Sequence, residues 1–125
     1  MRFPPELKRG DTVLLVSPAS PLTEDQPIEK IAEAVEGLGF RVRIGESCRR
    51  APPRGYAAAP AAVRAGDINA AFAAPDIRGV WCVRGGSTAW ELLPLLDYRL
   101  IAAHPKAFIG FSDVTTLHMA LQQRC

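Results

Sequence analysis

The run Thr12-Val13-Leu14-Leu15-Val16, between Gly10-Asp11 and Ser17-Pro18, constrains the fold more than any other stretch. It carries apolar side chains on both faces of an extended segment. A strand of that kind must be covered on both sides, as in a parallel sheet flanked by helices. The next signals supply the flanking elements. Thr23, Glu24 and Asp25 suit a helix start, Pro27 is tolerable in a first turn, and Ile28, Ile31, Ala32, Val35 and Leu38 recur at helical spacing. Gly37 and Gly39 stop that helix, and Phe40 to Ile44 reads as a second strand. Residues Gly45 to Pro60 read as a loop rich in Pro, Gly and Arg. Pro60 opens an alanine-rich helix with an apolar edge of Ile68, Ala71 and Phe72, weakened by about 1 kcal/mol at Gly66. Gly79 to Val83 is a third buried strand, followed by Arg84-Gly85-Gly86 and a helix from about Thr88 to Leu93. Pro94 interrupts it, and Asp97-Tyr98 starts another short turn. Ala107 to Gly110 is the fourth strand and Val114 to Gln122 the last helix. Strands alternating with helices at this spacing predict a flavodoxin-like, doubly wound parallel α/β sheet with helices on both faces.

Composition excludes several classes of function. Fifteen Lys and Arg against 13 Asp and Glu leave a formal charge of +2, too near balance to argue for a nucleic-acid partner. Hydrophobic residues at 48% and charged ones at 22% are globular values. No stretch approaches the roughly 20 apolar residues of a membrane-spanning helix, and the polar start with Pro4 and Pro5 is not a signal peptide. Cys48, Cys82 and Cys125 form no CxxC pair and no metal-like cluster, and so sparse a set suits a reducing cytosol. Length fits a single domain.

In open parallel sheets ligands bind outside the carboxyl ends of the strands. Three loops leave such ends: Ser17 to Ser20, Arg84 to Ser87 and Gly110 to Asp113. The third has the layout of a nucleophile elbow, in which a sharp turn lifts a serine, here Ser112, above the sheet. The Asp113 amide would then lie at a helix N-terminus, where it could stabilise an oxyanion. A second glycine of the usual elbow is replaced by Val114. The alternative is that Ser112 or Asp113 is only an N-cap. Gly85 and Gly86 permit close backbone approach, for a second oxyanion donor or for a tight turn alone. Arg84 suits a substrate carboxylate or a helix cap, and Ser17 is the candidate substrate contact on the first loop. A dinucleotide fingerprint and a P-loop are both absent. A serine needs a base, and neither histidine is well placed. His118 stands six residues past Ser112, roughly 240° around the helix, on the stripe of Val114 and Leu121. His104 lies in the loop before Pro105.

These stretches resemble one family. Gly10-Asp11-Thr12 through Val16-Ser17-Pro18-Ala19-Ser20-Pro21 is similar to the opening of LD-carboxypeptidases. So are Arg64-Ala65-Gly66-Asp67-Ile68-Asn69-Ala70-Ala71-Phe72, Pro75-Asp76-Ile77 and Arg84-Gly85-Gly86. Leu92-Leu93-Pro94-Leu95-Leu96-Asp97-Tyr98 and Pro105 through Asp113 match the most specific stretches. The family includes the microcin C self-immunity peptidases. The resemblance implies a cytoplasmic serine peptidase that removes terminal D-alanine from muropeptide tetrapeptides in peptidoglycan recycling. It places the nucleophile at Ser112 and the oxyanion hole at the amides of Asp113 and of Gly85 or Gly86. It also implies no metal or other cofactor, a homodimer, and a separate C-terminal domain that supplies the glutamate and histidine of a Ser–Glu–His triad.

Two departures stand out. Ser87-Thr88 replaces the Tyr-Gly that usually follows Arg-Gly-Gly. The sequence also ends at Cys125, on a helix and before any such second domain, so residues 1–125 read as the nucleophile-bearing half, inactive alone. The competing readings are a standalone flavodoxin-like domain that binds a small anion or peptide, and a degenerate product that folds poorly.

Overall fold

The computed structural model describes residues 2–49 and 57–125. Strands β1 (Thr12–Val16), β2 (Arg41–Ile44), β3 (Ile77–Cys82) and β4 (Ala107–Ile109) form one sheet in the order β2-β1-β3-β4. All three pairings are parallel; Leu15 stands opposite Ile44 on one side and Trp81 on the other. This is the flavodoxin-like, doubly wound arrangement that the alternation of elements predicts.

The two faces of β1 show why Val13 to Val16 are all apolar. Val13 and Leu15 pack with Ile28, Ala32 and Val35 of α1 (Ile28–Gly37). Leu14 and Val16 face the opposite way, into a core shared with α2 (Ala61–Ala73), α3 (Tyr98–Ala103) and α4 (Thr115–Arg124). Ile68, Phe72, Val80, Leu92, Ile101 and Leu117 fill that second core. Each such side chain contributes roughly 1.5–3 kcal/mol on burial.

Several boundaries differ from the sequence reading. Helix α1 begins at Ile28, with Pro27 in extended conformation at its N-cap. Gln26 precedes a proline and is pushed out of the helical region. Thr23–Gln26 closes instead as a turn, Gln26 N–H donating to the Thr23 carbonyl at 3.0 Å. Phe40 lies before β2, while β3 starts two residues early and ends before Val83. The helix predicted from Thr88 to Leu93 is only a 3-10 turn, Ala89–Leu92, because Pro94 lacks the donor that would extend it. The short turn at Asp97-Tyr98 is in fact helix α3, capped by Asp97, whose carboxylate accepts from Leu100 N–H at 3.1 Å. Within the predicted 45–60 loop, Glu46–Cys48 is a 3-10 turn, and residues 50–56 lie outside the described residues. Trp81 is half-buried.

The chain leaves β1 for β2 on one side of the sheet and returns to β3 on the other. The loops after β1, β3 and β4 therefore open together at the switch point of the sheet.

Candidate active site

Ser112 is the one non-glycine residue at positive φ, 62°, among the described residues. Phe111 before it is fully extended, and Ser112–Val114 forms a 3-10 turn that runs into α4. The strand thus reverses within two residues and leaves the Ser112 side chain exposed. A serine held in the left-handed region costs roughly 1–2 kcal/mol. Gly110 makes the reversal possible: a Cβ there would sit 2.7 Å from Val114 Cγ1 and 2.9 Å from Cys82 Cβ.

The loop after β3 closes against this turn. A Cβ on Gly85 would lie 3.2 Å from the Asp113 amide nitrogen, 3.2 Å from Ser112 Cβ and 3.3 Å from Ser112 Oγ. Only a residue without a side chain fits there comfortably. Gly86, at φ 157°, runs against Ser20, whose backbone nitrogen would be 2.9 Å from an added Cβ. Ser20 N–H in turn donates to the Gly85 carbonyl at 3.2 Å. Asp113 ties the two loops from the other direction, its Oδ2 accepting the Ala89 amide at 3.0 Å. No side-chain cap bond forms at the start of the 3-10 turn or of α4, so the N-cap alternative for Ser112 and Asp113 is not what these residues do.

The structure thus brings Ser112, Asp113, Gly85 and Gly86 to one place. The other two candidates are placed differently. Arg84 is exposed and donates from Nη1 to the Pro21 carbonyl at 2.6 Å, spanning from the β3 loop to the β1 loop. Ser17 is 1% exposed. It continues the Val13–Leu15 face; its amide donates to Ser47 Oγ at 3.0 Å and its hydroxyl points to Cys48 Sγ at 3.5 Å. Its hydroxyl is buried against the segment that follows β2.

Two rim features escaped the sequence reading. Ser20, rather than Ser17, is the β1-loop serine in contact with the glycine turn. Arg64 is the largest fully buried side chain. Its signal was present: positions 64, 68, 71 and 72 share one helical stripe, so a cation stands on an apolar face.

Neither histidine bonds to Ser112. His118 Nε2 lies 3.0 Å from the Gly110 carbonyl, with its ring edge-on to Phe108. His104 Nδ1 lies 3.0 Å from the Leu100 carbonyl at the end of α3. Burial pushes the thiols of Cys82, Cys48 and Cys125 up, which keeps all three protonated and poorly nucleophilic. Among the described residues, no three His, Cys, Asp or Glu gather as a metal site, and no helix is long and apolar enough to cross a membrane.

The chain has counterparts in sequence and fold among known proteins. The sequence profile of the LD-carboxypeptidase N-terminal domain matches residues 13–125. The murein tetrapeptide carboxypeptidase of Pseudomonas aeruginosa is 39% identical over 113 residues, covering 89% of this chain and 36% of that protein. A solved structure of the microcin C7 self-immunity protein MccF with adenosine monophosphate superposes with a TM-score of 0.90 at 28% identity, over 99% of this chain and 37% of the other. The muramoyltetrapeptide carboxypeptidase of Oxalobacter formigenes gives 0.77 at 26% identity, over 90% and 37%. The chain spans a little over a third of the length of the curated relatives it matches. On the matched profile, and on a fold that nearly all of this chain shares with part of these structures, the chain belongs to the LD-carboxypeptidase family.

Proposed function

We propose that residues 1–125 are the nucleophile-bearing domain of a serine-type LD-carboxypeptidase that hydrolyses the L,D-peptide bond to the terminal D-alanine of muropeptide tetrapeptides in cytoplasmic peptidoglycan recycling. The observation that carries the reading is Ser112 at φ 62° with Gly85 pressed against it and the Asp113 amide. Ser112 Oγ attacks the carbonyl carbon of the L,D bond. The carbonyl oxygen becomes an oxyanion, held by the Asp113 N–H and by the amide of Gly85 or Gly86. Preorganised donors of this kind are worth about 10²–10³ in rate each. The tetrahedral intermediate expels D-alanine, whose nitrogen takes the proton that the base removed from the Ser112 hydroxyl during attack, and water then hydrolyses the acyl-enzyme. Arg84, exposed on the same rim, pairs with the carboxylate of the departing residue.

The base comes from outside this chain. His104 and His118 are both bonded to backbone carbonyls, and the resemblance to the family supplies the rest of the triad, a glutamate and a histidine from a second, C-terminal domain. The isolated chain then retains oxyanion stabilisation alone and turns over negligibly.

The test is to express the reading frame containing these residues in two forms, as 125 residues and with whatever coding sequence follows Cys125. D-Alanine release from a tetrapeptide is expected from the longer form only, with Ser112→Ala lowering it by about 10⁴ or more. Ser112-dependent release by the 125-residue chain overturns the external base. Release that survives Ser112→Ala overturns the nucleophile.

A further inference from the structure

Arg64 is the fourth residue of α2 and 1% exposed. Both facts are costly. A buried guanidinium needs partners for its charge and its N–H groups, and a cation in the first turn opposes the helix dipole. Its acidic partner, Glu91 Oε1 at 3.3 Å, sits on a side chain 36% exposed and offsets only part of that cost. The remaining bonds go to the Thr88 hydroxyl, from Nη1 at 3.4 Å, and to backbone carbonyls from three separate segments. Nε donates to Ala59 at 2.7 Å, and Nη1 donates to Pro18 at 2.9 Å and to Thr88 at 3.1 Å. Pro18 lies in the loop after β1, Ala59 before α2, and Thr88 in the loop after β3. One side chain therefore ties together two of the three rim loops and the entry to α2.

The Thr88 bond matters most, because the Thr88 carbonyl and the Ala89 amide belong to a single peptide unit. Arg64 holds the oxygen of that peptide, and Asp113 Oδ2 accepts from its nitrogen at 3.0 Å. The plane is clamped at both ends, between a cation and a carboxylate, each of which polarises it in the same sense. A plane so fixed presents its N–H to the Asp113 carboxylate in one direction. Asp113 is also the residue whose amide abuts Gly85.

We propose that Arg64 is a positioning residue of this site: through the Thr88–Ala89 peptide it sets the orientation of Asp113, and hence of the Asp113 amide beside Ser112 and Gly85. The inference rests on the proposed function only for the chemistry that Asp113 serves. Neither readout below uses turnover, so its failure is separate from a failure of the peptidase reading.

The first readout uses the unaltered chain. In its NMR spectrum, Arg64 shows resolved, slowly rotating Nη signals with couplings across hydrogen bonds to the Pro18 and Thr88 carbonyls. A single averaged Nη signal overturns the clamp, with no variant to misfold. The second uses Arg64→Lys, which keeps the charge and loses the fork. Amide exchange at Ala89 is expected to speed up about tenfold or more, as a local opening, while Leu14 and Leu15 in β1 stay within about twofold. Equal acceleration at Ala89 and in β1 reveals a residue that only stabilises the fold and overturns the proposal. Unchanged exchange at Ala89 overturns it as well.

Discussion

Ser112 concentrates the local strain of the rim. Its left-handed backbone is imposed by extended Phe111 on one side and the 3-10 turn on the other, and strain of this kind collects at sites that need a side chain aimed abnormally. The strain has a measurable signature. Ser112→Gly should be more stable than Ser112→Ala by about 1 kcal/mol, since both lose the hydroxyl and only glycine relieves the left-handed conformation. Urea unfolding midpoints of the two variants check this, and an alanine variant as stable as the glycine one would show a relaxed elbow. The strand, Gly110-Phe111-Ser112-Asp113, helix pattern announces this geometry in the sequence, because few other arrangements put Gly and Ser at that junction. Ser17 was harder to read. Its place at the end of β1 is legible, but which way its hydroxyl turns follows from the alternation through Val13 and Leu15, and that continues past the strand end toward Cys48. Arg64 shows the converse: the anomaly is visible in the pattern, and its purpose is not, since the carbonyls that it bonds come from as far as 46 residues before it and 24 after it in sequence.

At the scale of elements, apolar runs and helical spacing located all four strands and the helices α1, α2 and α4, and prolines decided the boundaries of two elements. Pro27 delays α1 through its effect on Gln26, and Pro94 curtails the turn after β3. Helix α3 was under-read because only six residues of it exist, too few for a period to declare itself. Its start depends on Asp97 twice over. The carboxylate caps Leu100, and the Asp97 amide donates to Asn69 Oδ1 at 2.9 Å while Asn69 Nδ2 donates to the Leu95 carbonyl at 3.0 Å. The backbone part of that staple survives a change of side chain. Asp97→Ala therefore isolates the cap and should cost about 1 kcal/mol of stability, read as a lowered Tm by circular dichroism. A loss near zero would mean that Asn69 alone fixes the start of α3.

Across the whole molecule, large apolar side chains stay open both at the rim, where Phe111 is 84% exposed and Trp90 62%, and away from it, at Phe3, Leu38 and Met119. Several partly or fully buried ionisable groups favour their neutral forms. Burial pushes up the thiols of Cys82, Cys48 and Cys125, and likewise the Tyr98 phenol. An acid whose folded value is raised adds stability in full below its unfolded value, and that stability is lost as pH climbs past it. For the thiols the loss begins near their ordinary value of 9.0. Lys106 works the other way. Desolvation lowers its ammonium where it donates to the Ala71 and Ala74 carbonyls, so its penalty is relieved as pH rises toward 10.5. Cys82 is the cleanest probe, being the most deeply buried of the three thiols, at the carboxyl end of β3 beneath Gly110. Between pH 8 and pH 10, a thiol that ionises only when unfolded removes about 1.4 kcal/mol. Cys82→Ala should start less stable at pH 7, through the lost sulfur contacts, and then lose about that much less than the unaltered chain on going to pH 10. Urea unfolding at three pH values measures both slopes. Parallel slopes would mean that the thiol ionises as readily in the folded chain as in the unfolded one, which the packing at the end of β3 forbids.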